Sequence, residues 1–304
     1  MSESPPTTPA CYRHPSRETY VRCTRCERPI CPDCMREASV GHQCPECVAE
    51  GRRTSRPVRT AFGGGAAGRL GYVTRALIGL NLALMVLSII SARGGDAVAG
   101  AGFGGLLGGS TPLTEWGSVL GLWAPLGPFG PQEGIAAGEY YRLVTAMFLH
   151  YGILHVAMNM WALWVLGRSL EATLGPLRFL ALYLVAGVGG NVAAYLFSNP
   201  AAATAGASTA IFGLFAALFV IMRRLGRDTS TVIPILVVNL VFTFAVPGIS
   251  IAGHLGGMVT GAAMALVLAY APRARRSLVQ LGGGVVIGLV LVGLTLMRTA
   301  ALLA

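Results

Sequence analysis

From residue 73 onward, long apolar runs alternate with short polar breaks, and each run is close to the roughly 20 residues a helix needs to cross a bilayer. The runs predict membrane-spanning helices at about 74–92, 146–167, 177–197, 207–223, 231–247, 251–271 and 280–297. Between the first two lies a Gly/Pro-rich stretch, 93–142, carrying Trp116 and Trp123. It is expected at the interface, packed on protein, because hydrocarbon cannot satisfy the polar groups of irregular backbone. Before residue 73 the pattern is different. Residues 1–10 are Ser/Pro/Thr-rich and expected to be disordered, 11–50 hold all seven cysteines, and 51–72 read as a flexible basic linker. The chain therefore divides into a disordered start (1–10), a small head (11–50), a linker (51–72), a membrane core (73–271) and a C-terminal part (272–304) with one more helix.

Composition supports the membrane class: 54% of residues are hydrophobic and 12% charged, against about 25% charged in soluble chains. The net charge of +10 does not point to nucleic acid, because the basic residues are all arginine and cluster before the first span and at span ends. That distribution suits a lipid bilayer with anionic headgroups. Arg168 and Arg178, then Arg223, Arg224 and Arg227, then Arg273, Arg275 and Arg276 fall on alternate connections. The positive-inside rule then predicts a multi-pass protein of the cell membrane, N-terminus cytoplasmic and C-terminus outside. No apolar signal-peptide core precedes the head, so the cysteines are expected in the cytoplasm.

In this orientation the second, fourth and sixth spans all start at the outer face. Ser208, in "GASTAIFG", and His254, in "SIAGHLGGMVTG", lie near the starts of the fourth and sixth, at similar depth. An imidazole there can act as general base for the hydroxyl and then as acid for a leaving amine. The N–H of Ser208, at a helix N-terminus, is free to face a developing oxyanion. His155 and Asn159, four apart on one face, offer side-chain donors to the same charge. Gly253, Gly257 and Gly261 form a small-residue face for close helix packing, and Phe212 shares the Ser208 face and can stack on the imidazole. Asn81, Asn191 and Asn239 read as packing groups between helices. Composition removes the competing chemistries: there is no lysine for a Ser–Lys dyad, no carboxylate inside an apolar run, and no H-E-x-x-H zinc motif. Proton-relay transport loses its carboxylates for the same reason.

Over residues 73–271 these motifs resemble those of the rhomboid intramembrane serine proteases. That family's H-x4-H-x3-N pattern appears as His150, His155 and Asn159. Its G-x-S-G motif appears as Gly206, Ala207 and Ser208, with Thr209 in place of the second glycine. Its A-H-x2-G-x3-G motif appears as Gly253, His254, Gly257 and Gly261, and its first-loop Trp-Arg pair as Tyr141-Arg142. The resemblance implies an all-α, six-helix bundle with an added C-terminal transmembrane helix. It implies a Ser208–His254 dyad with oxyanion stabilisation by His155 and Asn159 and support from Gly206, Phe212, Gly257 and His150. It also implies cleavage of transmembrane protein substrates near the outer membrane face, without a catalytic cofactor. The alternative within the family is a catalytically silent protein that binds membrane clients.

The head reads Cys11-x2-His14, Cys23-x2-Cys26, Cys31-x2-Cys34 and Cys44-x2-Cys47. Seven cysteines and a histidine make eight ligands, enough for two four-coordinate structural zinc ions. Alternate pairing groups Cys11, His14, Cys31 and Cys34 on one ion and Cys23, Cys26, Cys44 and Cys47 on the other, similar to the cross-braced B-box zinc domains. His42 is a further candidate ligand. The head is expected to dock a cytoplasmic protein partner or to regulate the core.

Overall fold

The computed structural model describes residues 8–55, 59–65, 71–92, 109–122, 124–127, 130–246 and 248–304. The chain forms two compact units, Met1–Val58 and Arg59–Ala304.

The first unit is a small knot of turns. A two-residue hairpin pairs β1 (Arg36–Glu37) with β2 (His42–Gln43), and one helix follows, α1 (Pro45–Thr54). Cys44 caps α1 by accepting the Cys47 N–H on Sγ, and Pro45 supplies a first-turn residue whose missing N–H costs nothing there. Residues 8–10 join the unit: Ala10 bridges Glu18, and the Thr19 N–H donates to Pro9 O at 2.8 Å. The rest of the segment expected to be disordered lies outside the described residues.

The second unit is helical. Its long helices are α2 (Tyr72–Ser91), α5 (Ile153–Leu174), α6 (Pro176–Phe197), α7 (Ser208–Arg224), α8 (Val232–Ala245), α9 (Ile251–Tyr270) and α10 (Arg276–Leu303), with short α3 (Pro112–Gly117) and α4 (Arg142–Thr145) before α5. Apolar helices of this number make it a polytopic membrane protein. Four are long and apolar enough to cross a bilayer by themselves, and a bent pair formed by Arg142–Phe148 and Ile153–Leu174 makes a fifth candidate. α7 has 17 residues and α8 has 14.

The second span differs from its expectation. Its helix starts at Ile153 rather than near 146, because Gly152 sits at φ +84° and the chain turns by 90° there. His150 therefore lies in an extended segment before the helix. The helix also runs on past 167, which draws Glu171 into the protein. Glu171 is fully buried, not in a polar connection. Its carboxylate accepts the Val73 N–H at 3.0 Å and both the N–H and hydroxyl of Thr74 at 2.8 Å. It caps α2 from another helix, where Gly71 at the N-cap has no side chain to do so.

The stretch before α4 is ordered by its own polar groups where it is described. Thr111 and Thr114 form a capping box on α3, and β3 (Ala124–Gly127) pairs with β4 (Gly130–Gln132). Arg142 is buried and donates to Glu139 at 2.6 Å and to the carbonyls of Glu115 and Ser118. Tyr141 stacks on Trp116 with centroids 4.9 Å apart. Trp123 lies outside the described residues. Of the three asparagines expected between helices, Asn191 does cross, to Leu143 O at 2.9 Å. Asn81, buried beside Tyr183 of α6, also donates to Leu77 O of its own helix, and Asn239 donates to Ile235 O of its own helix.

α7 is the central helix, buried along most of its length between α6 and α9. Membrane helices gain little from hydrophobic burial against one another, so close backbone approach matters more. Gly257 provides it: a Cβ there would collide with the carbonyl of Thr209 on α7. α10 closes onto α6, with Tyr195 Oη 2.9 Å from Thr299 Oγ1. Part of the expected linker also belongs to this unit. Arg59 and Gly65 bridge, and Phe62 between them is buried in the bundle core.

Candidate active site

Ser208 is the first residue of α7, and His254 lies in the first turn of α9. His254 Nε2 is 2.8 Å from Ser208 Oγ. The other ring nitrogen, Nδ1, is 2.8 Å from Thr243 Oγ1 on α8. The Thr243 hydroxyl donates its own proton to Asn239 O, 2.9 Å away. With that proton committed, Thr243 Oγ1 can only accept from His254, so Nδ1 carries the hydrogen. Nε2 is left with a lone pair, and the Ser208 hydroxyl donates to it. Phe212 stacks on the imidazole at 4.1 Å and 18°, which holds the ring plane.

Gly206 lies at φ +145° and carries the chain into α7 past His155. A side chain at 206 would meet the His155 ring and approach Ser208 Oγ. His150 Nε2 accepts the Ala207 N–H at 3.3 Å, and the Gly206 N–H donates to Ala146 O. The two rings of His150 and His155 meet edge-on at 5.0 Å. Asn159 is buried one turn further along α5 on the His155 side. Ser208 and His155 are half-buried, while His150, Asn159, Ala207, Thr209 and His254 are buried.

Two residues of this region take positions that the sequence did not indicate. Thr243 was not singled out, although it shares a face with Asn239 four residues earlier; its partner on α9 has no short-range signature. Thr209, the residue in place of the motif glycine, faces α6 and α9. Its hydroxyl is buried without a partner among the described residues.

In the first unit, Cys11, His14, Cys31 and Cys34 form one cluster and Cys23, Cys26, Cys44 and Cys47 another, each with its ligand atoms within 4.8 Å of one another. None of the seven cysteines is in a disulfide. His14 Nδ1 is 3.3 Å from Cys31 Sγ, 3.5 Å from Cys34 Sγ and 3.8 Å from Cys11 Sγ, and Cys26 and Cys44 sulfurs are 3.7 Å apart. Sulfurs bound at about 2.3 Å around a tetrahedral ion would be roughly 3.8 Å apart, so the residues fit a metal. His42 lies in β2, outside both clusters. Each cluster mixes thiols of opposite tendency. Burial opposes ionisation of Cys11 and Cys23, but backbone N–H groups aimed at their sulfurs outweigh it and bring both down to about 6. Burial and the neighbouring sulfurs push Cys34 up to about 11 and Cys47 up to about 12. A bound metal ion would let such a set ionise together.

The family model described as Rhomboid domain matches residues 137–271, the stretch that holds every residue of the Ser208–His254 cluster. Rhomboid protease GluP of Bacillus subtilis is 42% identical over 143 residues, covering 44% of this chain and 27% of that protein. YdcA of the same bacterium is 34% identical over 137 residues, covering 43% of this chain and 69% of its own length. Rhomboid-type serine protease 2 of Emericella nidulans is 29% identical over 153 residues, 48% of this chain and 30% of that protein. The chain thus spans about a quarter to two thirds of the relatives it matches. Common sequence, helical architecture and the ordered His, Ser and His motifs agree: the chain belongs to the rhomboid family.

Proposed function

We propose that the chain is an intramembrane serine endopeptidase that cuts transmembrane segments of other proteins with Ser208 and His254. The observation that carries this reading is the contact geometry: Ser208 Oγ lies 2.8 Å from His254 Nε2, and the ring is held by Thr243 and Phe212. As the Ser208 oxygen attacks the peptide carbonyl carbon, its proton passes to Nε2 and the carbonyl oxygen becomes an oxyanion. The Ser208 N–H, in the first turn of α7, has no intrahelical acceptor and faces that charge; His155 and Asn159 supply further donors. Collapse of the intermediate breaks the C–N bond, and the imidazolium returns its proton to the leaving amine. Water, deprotonated by His254, then releases the acyl group. With the N-terminus inside, as the arginine distribution favours, α7 and α9 start at the outer face and cleavage occurs near it.

The test is cleavage of a transmembrane model substrate by the purified full chain in lipid. Ser208→Ala and His254→Ala are each expected to abolish it, and a fluorophosphonate is expected to label the parent but not Ser208→Ala. Cleavage by Ser208→Ala at the parental rate rejects the mechanism. A folded parent that neither cleaves nor takes the label supports the client-binding alternative instead.

A further inference from the structure

The other end of the bundle carries a second site. Arg178 is in the first turn of α6, while Gly190 of the same helix packs against Thr209 beside the dyad. At 1.5 Å per residue the two ends are about 18 Å apart. Here the starts of α6 and α10 and the 59–65 turn line an open cleft of about 450 Å³. Among the described residues its lining includes Arg59, Arg178, Arg273, Arg275 and Arg276, and no carboxylate.

As it stands, this arrangement is electrostatically unfavourable. Arginine belongs at helix C-termini, yet Arg178 and Arg276 sit in the first turns of two helices, at the positive end of each dipole. Neither helix has an acidic residue in its first turn or a side-chain cap. Among the described residues, none of the five arginines forms an ion pair. Their partners are neutral. Arg178 Nε donates to Gln280 Oε1 at 2.7 Å, Arg276 to Ala61 O at 3.2 Å, and Arg59 to Gly63 O at 3.3 Å. Such bonds orient the guanidinium groups and leave the charge uncancelled. The wall is rigid as well: the buried Gln280 also donates to Leu268 O and Phe62 O.

We propose that this cavity binds a phosphate group. Guanidinium forks match phosphate oxygens two at a time, and first-turn N–H groups of helices add donors of the same kind. A volume of this size admits inorganic phosphate, a small phosphate ester or a headgroup. The cavity opens at the end of two membrane-length helices, so a phospholipid headgroup and a soluble phosphate are the two sources.

The full chain in neutral detergent is heated with increasing inorganic phosphate in one arm and short-chain phosphatidylglycerol in the other, with phosphatidylcholine as reference. A saturable rise in Tm is expected in at least one of the first two arms. Saturation by phosphatidylglycerol alone identifies a lipid headgroup; saturation by inorganic phosphate identifies a soluble source. Arg178→Gln with Arg276→Gln is expected to weaken the apparent affinity about tenfold or more, since each removes a charge-assisted contact. Arg223→Gln with Arg224→Gln, a basic pair outside the cavity, is expected to leave it unchanged. Should the first pair disturb folding, the exposed pair Arg59→Gln with Arg273→Gln carries the same expectation. No rise in either arm, parental affinity in the cavity variants, or an equal loss in the Arg223/Arg224 control overturns the proposal.

Discussion

Thr209 and Thr243 spend their hydroxyls in opposite ways. Thr209 Oγ1 is buried without a partner, and its methyl packs against Gly190 and Gly253. Valine has the same shape and no hydroxyl, so Thr209→Val is expected to raise stability by about 1–3 kcal/mol, the usual cost of an unsatisfied buried group. Thermal unfolding in detergent measures this, and a lower Tm would mean that the hydroxyl has a partner. Thr209→Gly removes the packed methyl and adds about 1 kcal/mol of helix penalty, so restoring the family glycine is expected to destabilise this chain. Thr243 instead holds the tautomer of His254. Thr243→Val loses one neutral hydrogen bond, about 0.5–1.5 kcal/mol, or roughly threefold to tenfold in rate. The loss is expected in kcat with KM unchanged, with recovery in Thr243→Ser. The ¹⁵N shifts of the His254 ring are expected to change from one tautomer to a mixture. Unchanged shifts in Thr243→Val would reduce Thr243 to a packing residue.

Among the helices, α2 and α8 show how single polar contacts hold an element. α8 buries only Val232 and Thr243 of its own residues, so the hydrogen bond that orients His254 also comes from the least buried of the helices around the dyad. α2 relies on Glu171, whose two oxygens accept three donors at its N-terminus. Glu171→Gln replaces an acceptor-only group with one that presents N–H donors to donors. It is expected to cost roughly 2 kcal/mol or more and to free the start of α2, read as faster amide exchange at Val73 and Thr74. Parental exchange there would show that the cap is dispensable. The sequence made the periodic elements legible, because a bilayer crossing demands a long apolar run and little else. It also indicated that Ser208 and His254 share a depth and that Phe212 shares the Ser208 face. What it hid were contacts between distant segments. Glu171 looked like a loop residue because it follows the apolar run. The start of α5 depended on Gly152, one residue inside a run that reads as continuous, and Thr243 finds its role only when α8 meets α9.

At the scale of the whole chain, two units stand on different physics. The bundle has a core that runs from Phe62 to Ala269. The head has almost none: its buried apolar residues are Ile30 and six cysteines. Burying one isoleucine contributes about 1.5–3 kcal/mol, whereas ordering each residue costs about 1–2 kcal/mol in backbone entropy alone. Hairpins of two residues and one ten-residue helix do not offset that over some forty residues. Sulfur–metal bonds would supply that missing order, and the spacing of the two clusters fits them. A strong chelator applied to the purified full chain is expected to make all seven thiols reactive toward a thiol reagent. The same treatment is expected to leave the thermal transition of the helical unit in place, because no thiol lies in it. Elemental analysis before and after chelation gives the metal and its count. If the thiols stay protected once the metal is gone, the head is held by something other than its eight ligands.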